Sequence, residues 1–191
     1  MMSSFFAKIL RMKYINRWGL MRNTWEESLS EHSLDVAVIA HALATLRNKR
    51  FGGNVNAEHI TLLALFHDVS EIITGDLPTP VKYNNPQIKN AYKSLEEMAK
   101  QDLINLLPED LQPDYQLILK EDPNTTEWKI IKAADKLSAL IKCIEEEKAG
   151  NSEFAKAKEA QLTALSQINL PEANAFLEEF IPGFELTLDE Q

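Results

Sequence analysis

An all-α fold is predicted by three features of this 191-residue chain. It carries only six glycines. It is rich in Ala, Leu, Glu and Lys, which lose little on entering a helix. No segment shows the strict apolar–polar alternation of a half-buried strand. The length suits one domain, 1–191, arranged as a helical bundle with a sizeable core. A hydrophobic content of 45% with 26% charged residues is ordinary for a globular chain.

The first helix is expected over Phe5 to Met12, with Phe5, Ile9 and Met12 as its apolar stripe. Ile15 to Thr24 reads as a loop punctuated by Gly19. It holds Arg17, Trp18 and Arg22. On their own these fit a tryptophan plugging a core edge beside surface arginines. A second helix begins near Ser28 or Ser30, since Ser28 and Glu31 have capping-box spacing, and runs to Leu46. His32 lies in its first turn. His41 comes nine residues later, about half a turn round, so the two cannot serve one site.

Asn56 caps a third helix predicted from Ala57 to about Ile73. His59 lies about 12 Å along that helix from His67 and reads as a surface residue. Gly75 to Pro80 breaks it, stiffened by Pro78 and Pro80. A fourth helix opens at Asn85-Pro86 and stops at Pro108. A shorter one covers Glu109 to Leu119. Thr125 or Thr126 caps a long helix to Ala149, closed by Gly150. Its apolar stripe is Ile130, Ile131, Ala134, Leu137, Leu140, Ile141 and Ile144, and Asp135 borders it. Asn151 to Gln167 and Pro171 to Phe180 form the last helices, and 181–191 is expected as loop or an extended arm.

A formal net charge of -9 argues against a nucleic-acid polymer as partner, because that needs a broad basic footprint. It leaves room for a small phosphate ligand at a local cation. A single cysteine, Cys143, excludes an internal disulfide and fits a reducing cytoplasm. No secretory leader pattern and no bilayer-length apolar run appear, so a cytoplasmic location away from membranes is expected.

The stretch Thr61 to Asp76 carries the chemistry. A strongly apolar run leads directly into His67 and Asp68, with Glu71 next. An imidazole and a carboxylate are costly to bury without partners. In a helix, His67 and Glu71 at i, i+4 share a face. Two readings are open from this stretch alone: a core histidine beside a capping acid, or ligands of a divalent cation. Adding His32 and Asp135 gives two imidazoles and two carboxylates from three helices. That set suits a borderline ion such as Co²⁺, Mn²⁺, Ni²⁺ or Zn²⁺. Calcium is disfavoured because half the ligands are nitrogen.

The order His32…His67-Asp68…Asp135 resembles the signature of HD-domain metal-dependent phosphohydrolases. The runs Ile15-Asn16-Arg17-Trp18, Ser30-Glu31-His32-Ser33-Leu34, His67-Asp68-x-x-Glu71, Thr74 to Tyr83 and Lys132 to Leu137 are similar to the bacterial HD-domain 5′-deoxynucleotidases. The likeness covers nearly the whole chain and is weakest around Leu106 to Glu127. It implies an HD-type bundle with a core of about 28–150, a substrate loop 13–27 and C-terminal helices 151–191. It implies removal of the 5′-phosphate from deoxyribonucleoside 5′-monophosphates, with discrimination against ribonucleotides. It further implies a homodimer and one divalent metal, Co²⁺ favoured, with Mn²⁺, Cu²⁺ or Zn²⁺ as substitutes.

Carried over by residue, His32, His67, Asp68 and Asp135 hold the metal and Glu71 is the catalytic carboxylate. Arg17 contacts the phosphate and Trp18 packs on the sugar. Asp76 takes the 3′-hydroxyl, with Leu77, Pro78, Thr79 and Lys82 beside it. His32 and Asp135 also border the substrate, and Glu121 matches a further acid only loosely. Alternative readings are a related hydrolase acting on a cyclic or signalling nucleotide, a non-catalytic nucleotide or metal sensor, and a plain helical interaction protein. The stretch Asp76 to Ala134 has no histidine, which favours one metal over two.

Overall fold

The computed structural model describes residues 2–82 and 85–191, with the side chains of Thr79 and Pro80 not included. Tyr83, the end of one of the family-like runs, therefore lies outside the described residues. Helix α1 (Phe5–Ile9) passes into a tight 3-10 segment, Leu10–Tyr14. There follow α2 (Leu29–Arg50), α3 (Ala57–Leu65), α4 (Glu71–Thr74) and α5 (Thr79–Lys82). Then come α6 (Pro86–Ile104), α7 (Gln112–Leu119), α8 (Thr126–Lys148), α9 (Ala155–Ile168) and α10 (Pro171–Glu179). Among the described residues there is no strand, only an isolated antiparallel bridge between Asn16 and Ser28. The all-α expectation holds. No helix among them is long and apolar enough to cross a membrane.

Backbone contacts divide the chain into two compact units, Met1–Ser33 with Phe66–Lys120, and Leu34–Leu65 with Glu121–Gln191. The first has a core of Phe5, Ile9, Met12, Leu29, Val69, Leu103, Ile104, Leu107 and Leu119. The Phe5 ring meets Tyr115 edge-on at 4.8 Å, an arrangement that aromatic quadrupoles favour. The second is built around α8, whose predicted stripe is buried as expected. It packs with Val36, Ala40 and Leu43 of α2, Ile60 and Ala64 of α3, Leu165 of α9 and Phe176 of α10.

Several ends were written in the sequence. Asn85 accepts the N–H of Ile88 and Thr125 that of Trp128. Gly150 takes the left-handed backbone, φ 86°, that closes α8. At the start of α2, Ser28 N–H donates to Glu31 Oε2 at 2.7 Å and Glu31 N–H to Ser28 Oγ at 3.3 Å. This reciprocal pair satisfies two N–H groups that the helix leaves open. Ser28→Ala is expected to cost about 1 kcal/mol. A lowered urea midpoint at unchanged slope checks it; an unmoved midpoint means the cap contributes nothing.

Two expectations need correction. The third helix does not run to Ile73: α3 ends at Leu65, and Phe66 to Ser70 form tight turns before α4. The reason is a change of apolar spacing. Val69 is buried in the first core, and Phe66 and Ile72 pack against it. That three-residue period matches i→i+3 bonding, seen as Val69 N–H to Phe66 O at 3.2 Å and Glu71 N–H to Asp68 O at 2.9 Å. The tail is also not extended, since Ile181–Glu185 and Leu188–Glu190 are 3-10 turns.

Candidate active site

The first unit brings most of the singled-out residues together. A short pairing of the loop with the approach to α2 starts it. Arg17 N–H donates to Glu27 O at 2.9 Å, and Leu29 N–H to Ile15 O at 2.8 Å. Trp18, next in line, has φ 60°, a left-handed conformation that a bulky residue rarely adopts. Strain of this kind persists only where the surroundings hold it. Here Trp18 N–H donates to Asp76 Oδ2 at 3.3 Å and its indole N–H to Glu27 Oε2 at 2.5 Å. The loop is thereby tied to the acid that follows Gly75.

His32, in the first turn of α2, and His67, in the turn after α3, are both buried. Their rings lie 5.4 Å apart, centroid to centroid. Each aims Nε2 at one atom, Asp68 Oδ2, at 3.7 Å from His32 and 3.0 Å from His67. Arg17 Nη1 reaches the same oxygen at 3.7 Å. One donor atom each from His32, His67 and Asp68 lies within 4.8 Å of the others. Two buried imidazole nitrogens and the oxygen of a half-buried carboxylate converge, a set that fits a divalent metal ion. His32 turns its other nitrogen, Nδ1, toward Glu27 Oε1 at 3.6 Å.

Glu71 opens α4 and is buried. It does not share a helical face with His67, because the intervening residues are turn. The i, i+4 argument fails, yet the turn still delivers Glu71 close to Asp68. Its Oε2 has no hydrogen-bond partner among the described residues. Burial, then the charges of Asp68 and Asp76, push its carboxyl up to about 9, against the pull of Arg17 and Lys82. For Glu27 the balance is opposite. Burial pushes it up, but the His32 hydrogen bond, the Arg17 charge and the Trp18 indole outweigh that and hold it below the usual range.

The 75–82 segment is anchored by α6. Gly75, at φ 73°, turns the chain out of α4. Its carbonyl accepts from the Tyr92 hydroxyl at 2.9 Å. Lys82 Nζ lies 2.8 Å from Glu96 Oε1 and over the Tyr92 ring at 4.5 Å. Burial lowers the proton affinity of Lys82, but Glu96 more than restores it, so the ammonium stays charged. Asp76, Leu77 and Pro78 are half-buried and Thr79 begins α5.

In the second unit, Asp135 is buried on α8, with Lys136 Nζ 3.0 Å from its Oδ2. Glu121 is half-buried in the loop before α8. Cys143 is buried and forms no disulfide. His41 is exposed, and so is His59, as expected of a surface residue. The residue that sequence reasoning missed is Glu27. Nothing in the run Glu26-Glu27 marks one acid as buried; only the register of the 15–17 and 27–29 pairing turns it inward.

An all-α frame with an ordered His, His-Asp donor set beside an arginine is that of the HD-domain phosphohydrolases. A solved HD-domain phosphohydrolase from Listeria innocua superposes with a TM-score of 0.83 at 29% identity, over 95% of this chain and 88% of that one. The family model described as 5′-deoxynucleotidase YfbR-like matches residues 4–184, and the chain belongs to that family. It is similar to a 5′-deoxynucleotidase of Photorhabdus laumondii subsp. laumondii, 54% identical over 99% of this chain and 96% of the relative. A 5′-deoxynucleotidase of Yersinia pseudotuberculosis serotype I is 52% identical over the same shares.

Proposed function

We propose that this protein is a metal-dependent 5′-deoxynucleotidase. It hydrolyses deoxyribonucleoside 5′-monophosphates to deoxyribonucleosides and phosphate. The observation that carries the reading is the convergence of His32, His67 and Arg17 on one oxygen of Asp68, in a chain of the 5′-deoxynucleotidase family. The family match spans residues from both compact units, which supports reading 1–191 as one functional domain.

His32, His67 and Asp68 hold one divalent ion, and Asp135 is the fourth ligand. Asp135 is a buried carboxylate in the family-like run Lys132 to Leu137, and an apolar stripe gives it no packing reason to be there. Co²⁺ is the favoured ion, with Mn²⁺, Cu²⁺ or Zn²⁺ as substitutes. When bound, such an ion neutralises phosphate charge and makes water more acidic. Arg17 offers its planar fork to the phosphate oxygens. Glu71, buried beside Asp68 and Asp76, is the group that accepts or relays a proton. Asp76 orients the Trp18 backbone through Oδ2, and the likeness to the family assigns it the 3′-hydroxyl. The likeness to the family assigns substrate contacts to Leu77, Pro78, Thr79 and Lys82, and places for His32 and Asp135 beside the phosphate. Glu121 is assigned as an outer acid.

Trp18 sets the deoxy preference. A pocket that merely accommodates a sugar rejects one added hydroxyl weakly. A fixed aromatic wall at C2′ does better, and Trp18 is fixed by two hydrogen bonds. Trp18→Ala is expected to lose most of the preference for dAMP over AMP while metal affinity stays put. Unchanged discrimination would discard the wall. A homodimer is supported by apolar side chains left exposed on α2 (Leu34, Val38) and α3 (Leu62, Leu65). The single cysteine supports a cytoplasmic setting.

Phosphate release measured across the dNMP and NMP series, with Co²⁺ added to metal-stripped protein, tests the reading. Turnover of dNMPs with little on NMPs is expected. Equal rates on both series, or none on either, would remove it.

A further inference from the structure

Glu27 is not among the candidate metal ligands, yet three residues of the site meet on its carboxylate. Oε2 accepts the Trp18 indole N–H at 2.5 Å and faces Arg17 Nε at 3.5 Å. Oε1 faces His32 Nδ1 at 3.6 Å. Glu27 is itself 6% exposed, so these contacts act where water screens little. The two ends of the loop are tied at the same place through the Asn16–Ser28 bridge.

A carboxylate at Nδ1 favours the imidazole tautomer with the proton on Nδ1. That frees the Nε2 lone pair, and Nε2 is the atom aimed at Asp68. On its other side the same carboxylate faces Arg17 Nε at 3.5 Å, while Nη1 faces Asp68 Oδ2 at 3.7 Å. It also holds the Trp18 ring against the strain of φ 60°.

We infer that Glu27 is a positioning residue whose single carboxylate sets the ring orientation of His32 and, with it, the placement of Arg17 and Trp18. The inference rests on the 5′-deoxynucleotidase reading for what Arg17 and Trp18 are placed to do. Its hold on His32 does not need that reading. Metal affinity and sugar selectivity are thus wired to one side chain.

The test uses the full chain and Glu27→Gln, which keeps the shape and removes the charge. Calorimetric titration of metal-stripped protein with Co²⁺, without substrate, is expected to show affinity weakened about 10- to 100-fold. The ratio of kcat/KM for dAMP over AMP is expected to fall in the same variant by about tenfold or more. A residue that served only stability would lower the melting temperature and move neither value. Co²⁺ affinity within about twofold of wild type, or an unchanged dAMP to AMP ratio, overturns the coupling. A second measurement stands if the variant does not fold. Long-range ¹H–¹⁵N spectra of the metal-free wild-type protein, at a pH where the ring is neutral, are expected to show His32 protonated at Nδ1; the proton on Nε2 instead overturns the inference. Wild-type protein that binds Co²⁺ but leaves dAMP intact defeats the enzymatic reading instead, and the tautomer still decides the role of Glu27 at His32.

Discussion

Asp68→Asn is expected to lower kcat/KM on dAMP by at least about three orders of magnitude, close to 4 kcal/mol of barrier. Calorimetry is expected to show no Co²⁺ binding by the same protein. The magnitude follows from where Oδ2 lies. His32 Nε2, His67 Nε2 and Arg17 Nη1 all face it within 3.7 Å. An amide presents a weaker, neutral oxygen, and its NH₂ end would confront the two ring nitrogens. A divalent ion then loses its charged ligand in this unit, and Arg17 loses the anion that aims it. The helices do not depend on Asp68, which lies in a turn, so far-UV circular dichroism should be unchanged. Retained metal stoichiometry with a rate within tenfold of wild type would show that Asp68 is no ligand.

Glu71→Gln separates proton transfer from metal binding. Its kcat on dAMP should fall about 10²- to 10⁴-fold, the range for losing a positioned acid or base. Co²⁺ affinity should hold within about threefold, since Glu71 is no ligand.

Stability supplies a second, independent readout in metal-free protein. The folded value of about 9 lies above the ordinary 4.5. Between those pH values the folded state binds more protons than the unfolded one, so stability falls as pH rises through that window. Glutamine cannot ionise and escapes the loss. At pH 7 the variant should be more stable by on the order of 1–3 kcal/mol, and the gain should disappear below about pH 4. A variant less stable than wild type at pH 7 would mean that Glu71 is charged and paired in the metal-free fold.

The parts that the sequence makes legible are those governed by local chemistry. Ser28 and Glu31 cap α2 because a hydroxyl and a carboxylate three residues apart close on each other's N–H groups. The stripe from Ile130 to Ile144 reads as buried because its spacing follows the helix. The donors His32, His67 and Asp68 stand out as costly to bury, and their convergence matches that cost. What escapes is set by contacts distant in sequence. The turns at Phe66 to Ser70 look helical locally, and only packing of Phe66, Val69 and Ile72 on α1 and α6 residues selects the tighter winding. Glu27 turns inward because a two-stranded contact fixes its register, and no periodicity records that. The strained Trp18 is equally silent, since its φ depends on acids 9 and 58 residues away.

The proposed seat of hydrolysis is one cation with His32, His67, Asp68 and Asp135 as its ligands. Titrating metal-stripped protein with Co²⁺ while following phosphate release from dAMP tests it most directly. Activity should rise from background in proportion to added metal and level off at one Co²⁺ per chain. Full turnover in the presence of chelator, or a plateau reached only at two ions per chain, would contradict it.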